Sequence, residues 1–345
     1  MILGPTIHDV ARLAGTSKST VSRYLNGHPV KQPTRDALEK AIRELRYHRN
    51  ANARRLVLNR THLIGVVVDD ISNIFYSGIL KGVEETVKSN GYSCMFLSRT
   101  SHYDRESAYL NMLHEGQADG LILVSFRKRD PEELRLMAES GVPLALIGDD
   151  GGRPELIGID VDNKGGIKEL VGYLHSLGHE RIGFIAGPES ASASGARYRG
   201  YREAMEERGL PIRPEWTVPS EWTSETGYAA MRKLLNGREV SAVLASNDDT
   251  AFGALQAAQE GGLRVPEDLS IVGFDDISAA AWSFPSLTTV RQPFRQMGML
   301  AAQRLLARLE GTQEESPVRR RIQPALVIRN SCGRPGTGQE QTHRK

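Results

Sequence analysis

The chain has 345 residues, 39% hydrophobic and 25% charged, which is enough apolar mass for two or three packed domains. Net charge is only +2, yet residues 1–60 hold 12 Lys and Arg against 4 Asp and Glu, while the remainder holds 32 against 38. A basic head on an acidic body points to a polyanion-binding segment joined to an ordinary globular region. No stretch approaches the roughly 18 apolar residues of a membrane span. Asp9, Arg12, Lys18 and Arg23 interrupt the start of the chain, so no secretory leader is read there. Cys94 and Cys332 lie far apart in apolar contexts and read as reduced and structural, consistent with a cytoplasmic protein. Two cysteines are too few for a zinc site, and no metal or cofactor is expected.

The first predicted element is a helix in "TIHDVARLAG". Thr6 caps it and Asp9 completes a box-like pattern, while Ile7, Val10, Ala11 and Ala14 share one apolar face. Gly15 is a left-handed stop. Ser17 then caps a second helix whose Val21, Tyr24 and Leu25 face inward. The "GTS" between the two is long enough only for a tight turn, the punctuation of a helix-turn-helix. A third helix is predicted from about Gln32 to Arg46, with Pro33 in its first turn and Leu38, Ala41, Ile42 and Leu45 as its stripe. With Val21, Tyr24 and Leu25 turned inward, Lys18, Ser19, Ser22, Arg23 and Asn26 point out. Such a helix fits the major groove of DNA, where Lys18 and Arg23 can donate to guanine O6 and N7. The hydroxyls of Ser17, Thr20 and Ser22 can serve phosphates or bases.

Beyond residue 61 the apolar runs are "LIGVVV", "CMFLS", "GLILVS" and "PLALIG", then "RIGFIAG", "AVLAS" and "SIVGF", with helical segments between them. Continuous rather than alternating hydrophobicity marks strands buried on both faces, hence two doubly wound parallel α/β units. The series breaks near "IDVDNKGG". Ligands of such sheets bind at the carboxyl ends of strands, in the cleft between units. Asp69, Asp149, Asn247, Asp248 and Asp275 all follow predicted strands and should converge there. Arg127, Lys128 and Arg129 form a cation run that reads first as a solvated loop and alternatively as a contact for a sugar acid, and His179 reads as a turn or capping residue. There is no P-loop, HExxH or GxSxG, and "GFIAGPESASASG" lacks GxGxxG spacing.

These segments resemble the LacI family of transcription regulators. The likeness rests on "TIHDVARLAGTSKSTVSRYLNG" and "VKQPTRDALEKAIRELRYHRNANARRL", then on "LIGVVVDDISNIFYSGILKGVEE", "LHSLGHERIGFIAG", "SNDDTAFGAL", "GGLRVPEDLSIVGFDD" and "PSLTTVRQP" in family order. It covers about residues 5–331. It implies a helix-turn-helix headpiece over 5–48, a hinge helix or linker over 49–60, a core over 61–331 and a flexible tail over 332–345. The core would resemble periplasmic sugar-binding proteins, crossing three times between a first subdomain (about 61–160 and 288–319) and a second (about 161–287 and 320–331). Lys18, Ser19 and Arg23 match base-reading positions, and Leu56 a residue that wedges into the minor groove. His8, Ser17, Thr20, Ser22, Asn26, Thr34, Asn50, Arg54 and Arg55 fall on the phosphate side. Arg49 stands where the family often has Pro, and the short hinge helix is expected to order only on DNA. Asp149, Arg197, Asn247 and Asp275 match effector-contacting positions, joined by Asp69, with Phe75 and Trp222 as aromatic walls.

Such a set suits a polyol. The resulting expectation is a repressor, not an enzyme, that binds a palindromic operator as a homodimer and is switched by a sugar or sugar derivative. A sugar-binding transport component and a sugar-metabolising enzyme with a basic appendage are the alternatives. The absent leader and the absent catalytic cluster argue against them.

Overall fold

The structure is a computed structural model; it describes residues 5–25, 27–47, 60–99, 106–237, 239–312 and 319–336. It divides into two units, residues 1–61 and 62–345.

In the first unit, α1 (Ile7–Leu13), α2 (Lys18–Leu25) and α3 (Gln32–Glu44) surround one small core. The Thr6–Asp9 capping box is formed in both directions. Ser17 Oγ accepts from the Thr20 amide at 3.1 Å and so caps α2. Gly15 takes the left-handed conformation at φ 62°, which lets the chain reverse within the turn. Val10, Ala11, Val21, Leu38 and Ala41 are buried together, with Tyr24 and Leu25 packed against them. The Tyr24 hydroxyl ties α2 to α3 by donating to Glu39 at 3.1 Å. The third helix stops at Glu44, and Arg46, at φ 47°, already belongs to the turn beyond it.

The second unit contains two parallel sheets. The first subdomain runs β1 (Leu63–Val68), α4 (Ser77–Ser89), β2 (Ser93–Ser98), α5 (Leu110–His114), β3 (Gly120–Ser125), α6 (Pro131–Glu139), β4 (Leu144–Gly148) and β5 (Ile157–Val161). The second runs α7 (Asn163–Ser176), β6 (Ile182–Ala186), α8 (Ser192–Glu207), β7 (Thr217–Pro219), α9 (Ser224–Gly237), β8 (Ala242–Ala245), α10 (Asp248–Glu260) and β9 (Ser270–Val272). Then follow β10 (Thr289–Arg291), α11 (Phe294–Leu309), β11 (Arg319–Ile322) and β12 (Ala325–Val327). The first sheet has the order β11-β5-β4-β3-β1-β2 and the second β7-β6-β8-β9. Their central strands are buried on both faces: in β1, Ile64, Val66 and Val68 join the cluster under α4 and α11, while Val67 joins the one on the opposite face. That two-sided burial is why "LIGVVV" does not alternate.

The chain crosses between subdomains three times, after β5, after β10 and after β11, and two of the expected boundaries move. Strand β10 pairs antiparallel with β12, and Val290 is buried in the second subdomain's core, so the return begins near residue 292 rather than 288. Strand β11 pairs parallel with β5, so the first sheet keeps the chain to Ile322 rather than 319. The expected tail also starts later. Gly333 is bound to the core, its amide donating to Ser270 Oγ at 3.1 Å and its carbonyl accepting from His179 at 2.9 Å.

Candidate functional site

On the headpiece, Lys18 and Arg23 are exposed, and neither has a hydrogen-bond or ion-pair partner among the described residues. Two exposed, unpaired cations at the start and in the last turn of one short helix can contact phosphates or base edges. Ser19 differs. Its hydroxyl shares a 2.7 Å hydrogen bond with Ser17 Oγ, which also meets Thr20 Oγ1 at 2.8 Å. Reading a base with Ser19 therefore means exchanging that bond. His8 is exposed, and Thr20, Ser22 and Thr34 are partly exposed. Asn26, Asn50, Arg54, Arg55 and Leu56 lie outside the described residues.

Within the core, a cavity of about 320 Å³ lies between the two subdomains. Six of the seven expected effector residues line it: Asp69, Phe75, Arg197, Trp222, Asn247 and Asp275. Asp69, Asn247 and Asp275 arrive from strand ends, as parallel-sheet topology dictates, Phe75 and Trp222 from the connections after β1 and β7, and Arg197 from within α8. Their polar groups, however, are largely engaged with one another. Arg197 is 2% exposed, and its guanidinium donates to Asn163 Oδ1 at 2.9 Å, to the Ser246 carbonyl and to Asp275 Oδ1 at 3.2 Å. Its Cζ sits 3.9 Å from the Phe274 ring centroid and 5.5 Å from that of Trp222. Gln292 donates to Asp275 at 2.6 Å. Burial raises the Asp275 carboxyl above the ordinary range, and Arg197 and Gln292 oppose that rise. Asn247 caps α10 through the Thr250 amide at 3.0 Å and donates to the Trp222 carbonyl at 3.3 Å. Trp222 donates from its indole to Ser246 Oγ at 3.0 Å.

Two of these residues have left-handed backbones, Trp222 at φ 62° and Asp275 at φ 123°. Strain of this kind, about 1–3 kcal/mol per residue, persists where the surrounding packing fixes a site. On the opposite wall Asp69 accepts from Ser125 Oγ at 3.0 Å and Tyr76 at 3.1 Å, with Arg99 at 3.4 Å. Burial, and then the Asp69 carboxylate, push the Tyr76 phenol well above its ordinary range, so it stays a donor. Phe75 is locked edge-on against Tyr76, Phe126 and Phe294, at centroid separations of 5.3, 5.3 and 4.7 Å.

Three expectations are corrected. Asp149 does not line this cavity: its carboxylate accepts from the backbone amides of Arg129 at 3.3 Å and Gly151 at 3.0 Å, beside a separate basic pocket. Asp248 is fully buried behind the cleft, accepting from Thr289 at 2.6 Å and the Ile277 amide at 2.9 Å, with its pKa raised by burial. The cation run after β3 is not a uniformly solvated loop. Arg129 is 7% exposed and donates to the Asp149 and Leu123 carbonyls, and Arg127 lines the cleft. His179 is a buried structural residue, held by Ser241 at 3.0 Å and Ser270 at 2.9 Å. Sequence reasoning passed over Tyr76, Phe126, Ser190, Glu221 and Asp249 in the lining and set Arg127 second to a solvated loop. Phe126 and Arg127 follow β3 as Asp69 follows β1, so the strand-end rule, applied after β3 as well, would have placed both in the cleft.

Comparison with known proteins agrees with this architecture. Residues 6–50 match the family described as bacterial regulatory proteins, lacI family, and residues 171–332 match a periplasmic binding protein-like domain. The HTH-type transcriptional repressor PurR of Photorhabdus laumondii is 35% identical over 331 residues, covering 94% of this chain and 96% of that protein. The HTH-type transcriptional regulator CelR of Thermobifida fusca is 36% identical over 338 residues, covering 95% and 98%. Among solved structures, a CelR–cellobiose complex superposes with a TM-score of 0.70 at 35% identity, covering 95% of this chain and 99% of that one. The lac repressor dimer bound to operator and the anti-inducer ONPF gives 0.86 at 28% identity, covering 96% and 100%. The chain therefore belongs to the lacI family of bacterial regulatory proteins, and it is a DNA-binding transcriptional regulator rather than an enzyme.

Proposed function

We propose that this regulator is a repressor that binds a palindromic operator as a homodimer in the cytoplasm, and that a sugar or sugar derivative in the core cleft switches its operator affinity. The observation that carries the effector half is the cavity between the subdomains, with Phe75 on one wall, Trp222 on the other and polar side chains around them. An aromatic face covers the apolar face of a pyranose while carboxylates and amides take its hydroxyls. CelR, a relative of this chain, has been solved with cellobiose. A ligand held by both walls binds the closed arrangement better than the open one, and that difference is what lets it shift a two-state equilibrium.

The reading half is supported by unpaired Lys18 and Arg23 on α2. The dimer is supported by Trp282 and Phe284, 86% and 92% exposed beside Phe252 and Leu255, an apolar surface of the kind that a second subunit covers. The relevant lac repressor structure is a dimer on operator. No helix among the described residues is long and apolar enough to cross a membrane.

The test is selection of a duplex from a random pool, followed by titration of the complex with sugars. A two-fold symmetric site whose affinity changes on adding one sugar is expected. An asymmetric site, or an operator affinity indifferent to every sugar, overturns the corresponding half.

A further inference from the structure

The segment leaving β3 does something that none of the expected effector residues does. It spans the two subdomains without a chain crossing. Arg127 forms an antiparallel bridge with Ala191, Lys128 donates its amide to the Ser190 carbonyl at 2.7 Å, and Ser192 donates its amide to the Phe126 carbonyl at 3.1 Å. The root of the segment is fixed in the first subdomain. Ser125 Oγ accepts from the Arg127 amide at 3.3 Å, and buried Arg129 grips the Asp149 and Leu123 carbonyls. Backbone held at both ends places the Arg127 side chain at the cavity.

That side chain is uncommitted. Every nitrogen of the Arg197 guanidinium already donates within the protein, whereas the Arg127 guanidinium has no hydrogen-bond or ion-pair partner among the described residues. From the second subdomain, Glu221 and Asp249 line the same cavity, and their carboxylates likewise have no hydrogen-bond partner among the described residues. An isolated donor fork on one wall thus shares the cavity with isolated acceptors from the other. Vicinal hydroxyls satisfy both, because each accepts from a guanidinium and donates to a carboxylate. A phosphate or carboxylate on the ligand would satisfy Arg127 but meet Glu221, Asp249 and Asp70 at close range.

We propose that Arg127 is the specificity-determining residue of the cleft, forking across two adjacent hydroxyl oxygens of a neutral saccharide and reaching them only while its backbone is bridged to Ala191. The proposal rests on reading the cleft as a saccharide site. It is tested on the full chain by thermal shift and calorimetry with glucose, galactose, cellobiose and maltose, beside glucuronate, galacturonate and glucose 6-phosphate. The wild-type protein should bind at least one neutral probe and prefer it to the acidic ones. Arg127→Gln should weaken that binding by about tenfold or more without moving the melting temperature of the unliganded protein. Arg127→Lys should fall between, and Lys128→Gln, on the same segment but outside the cavity, should bind as wild type does. Unchanged affinity in Arg127→Gln overturns the role of Arg127 while leaving the saccharide site standing. Preference for an acidic probe overturns the neutral class. A wild-type protein that binds none of the seven overturns the saccharide reading itself.

Discussion

Arg197 shows how far a residue's surroundings decide what it does. A fork beside a predicted cleft reads as a ligand contact, but with Asn163, Ser246 and Asp275 on its nitrogens and Phe274 beneath it, this one organises the second wall first. Removing one partner of a fully buried, hydrogen-bonded pair strands the other. Arg197→Met should therefore destabilise the core by about 3–5 kcal/mol, seen as a lower melting transition, besides weakening effector binding. If it melts with the wild type, the guanidinium is not structural. Arg23 is the opposite case, exposed and unpartnered. Arg23→Ala should leave stability alone and lose about 1–3 kcal/mol at one base pair of the operator. Equal losses on every sequence would make it a phosphate contact.

His179 supplies a pH dependence at the same scale. Burial lowers its pKa below the ordinary 6.5, although the Gly333 carbonyl opposes this. The neutral ring suits the site: Nε2 donates to Gly333 and Nδ1 accepts from Ser241. Because the folded pKa is the lower one, the unfolded chain takes up the proton first, so stability falls as pH drops below 6.5. The loss in melting temperature between about pH 7.5 and about pH 5.5 should be smaller in His179→Gln than in the wild type, even though the variant starts lower. An equal loss would assign the dependence to other groups.

At the scale of elements, the cleft's second wall depends on how closely α9 and α10 approach. A Cβ on Gly253 would overlap the Ser224 carbonyl and lie 2.6 Å from the Tyr228 amide, and one on Gly227 would overlap the Thr250 carbonyl. These glycines bring the Trp222 loop, just before α9, against Asn247 at the cap of α10. Gly253→Ala should cost about 1–3 kcal/mol through overpacking and weaken ligand binding with it. Gly237→Ala, with nothing within 4 Å, should be neutral or slightly stabilising. If the two variants behave alike, the close approach is not what sets the wall.

Elements were also what the sequence disclosed best. Seven of the ten described strands in the two sheets were legible because burial leaves an unbroken apolar run, whereas β5, β7 and β11 ("RRRI") carry no such run and were not read; the headpiece helices were legible because caps and periodicity are local. What was not legible depends on partners far along the chain. Nothing in "LTTV" says that β10 pairs with β12, whose Leu326 faces Val290 from much further along the chain. Nor does any local pattern say that Asp149 turns to backbone amides while Arg127 stays unpartnered. Asp69, Asn247 and Asp275 could be named because strand ends converge by topology, and Phe75, Arg197 and Trp222 through the family resemblance; their commitments to one another could not, because those depend on packing.

At the scale of the whole molecule, charge and exposed apolar surface are separate arguments that one measurement joins. The basic first 60 residues, with 12 Lys and Arg against 4 Asp and Glu, should make operator affinity fall steeply with salt, with a slope of roughly −0.9 per phosphate neutralised. A single α2 contacts few phosphates, and a dimer doubles the number. Trp282 and Phe284, the two most exposed large apolar residues among those described, give the proposed dimer its candidate surface. Trp282→Glu combined with Phe284→Lys places charges there without touching the headpiece or the cleft lining. In sedimentation this variant should run as a folded monomer with an unchanged melting transition. Its salt slope on a palindromic duplex should drop to about half that of the wild type, because half the phosphate contacts remain. A variant that stays dimeric places the interface elsewhere on the core, and a monomer with the full slope would mean that the two headpieces do not share one operator.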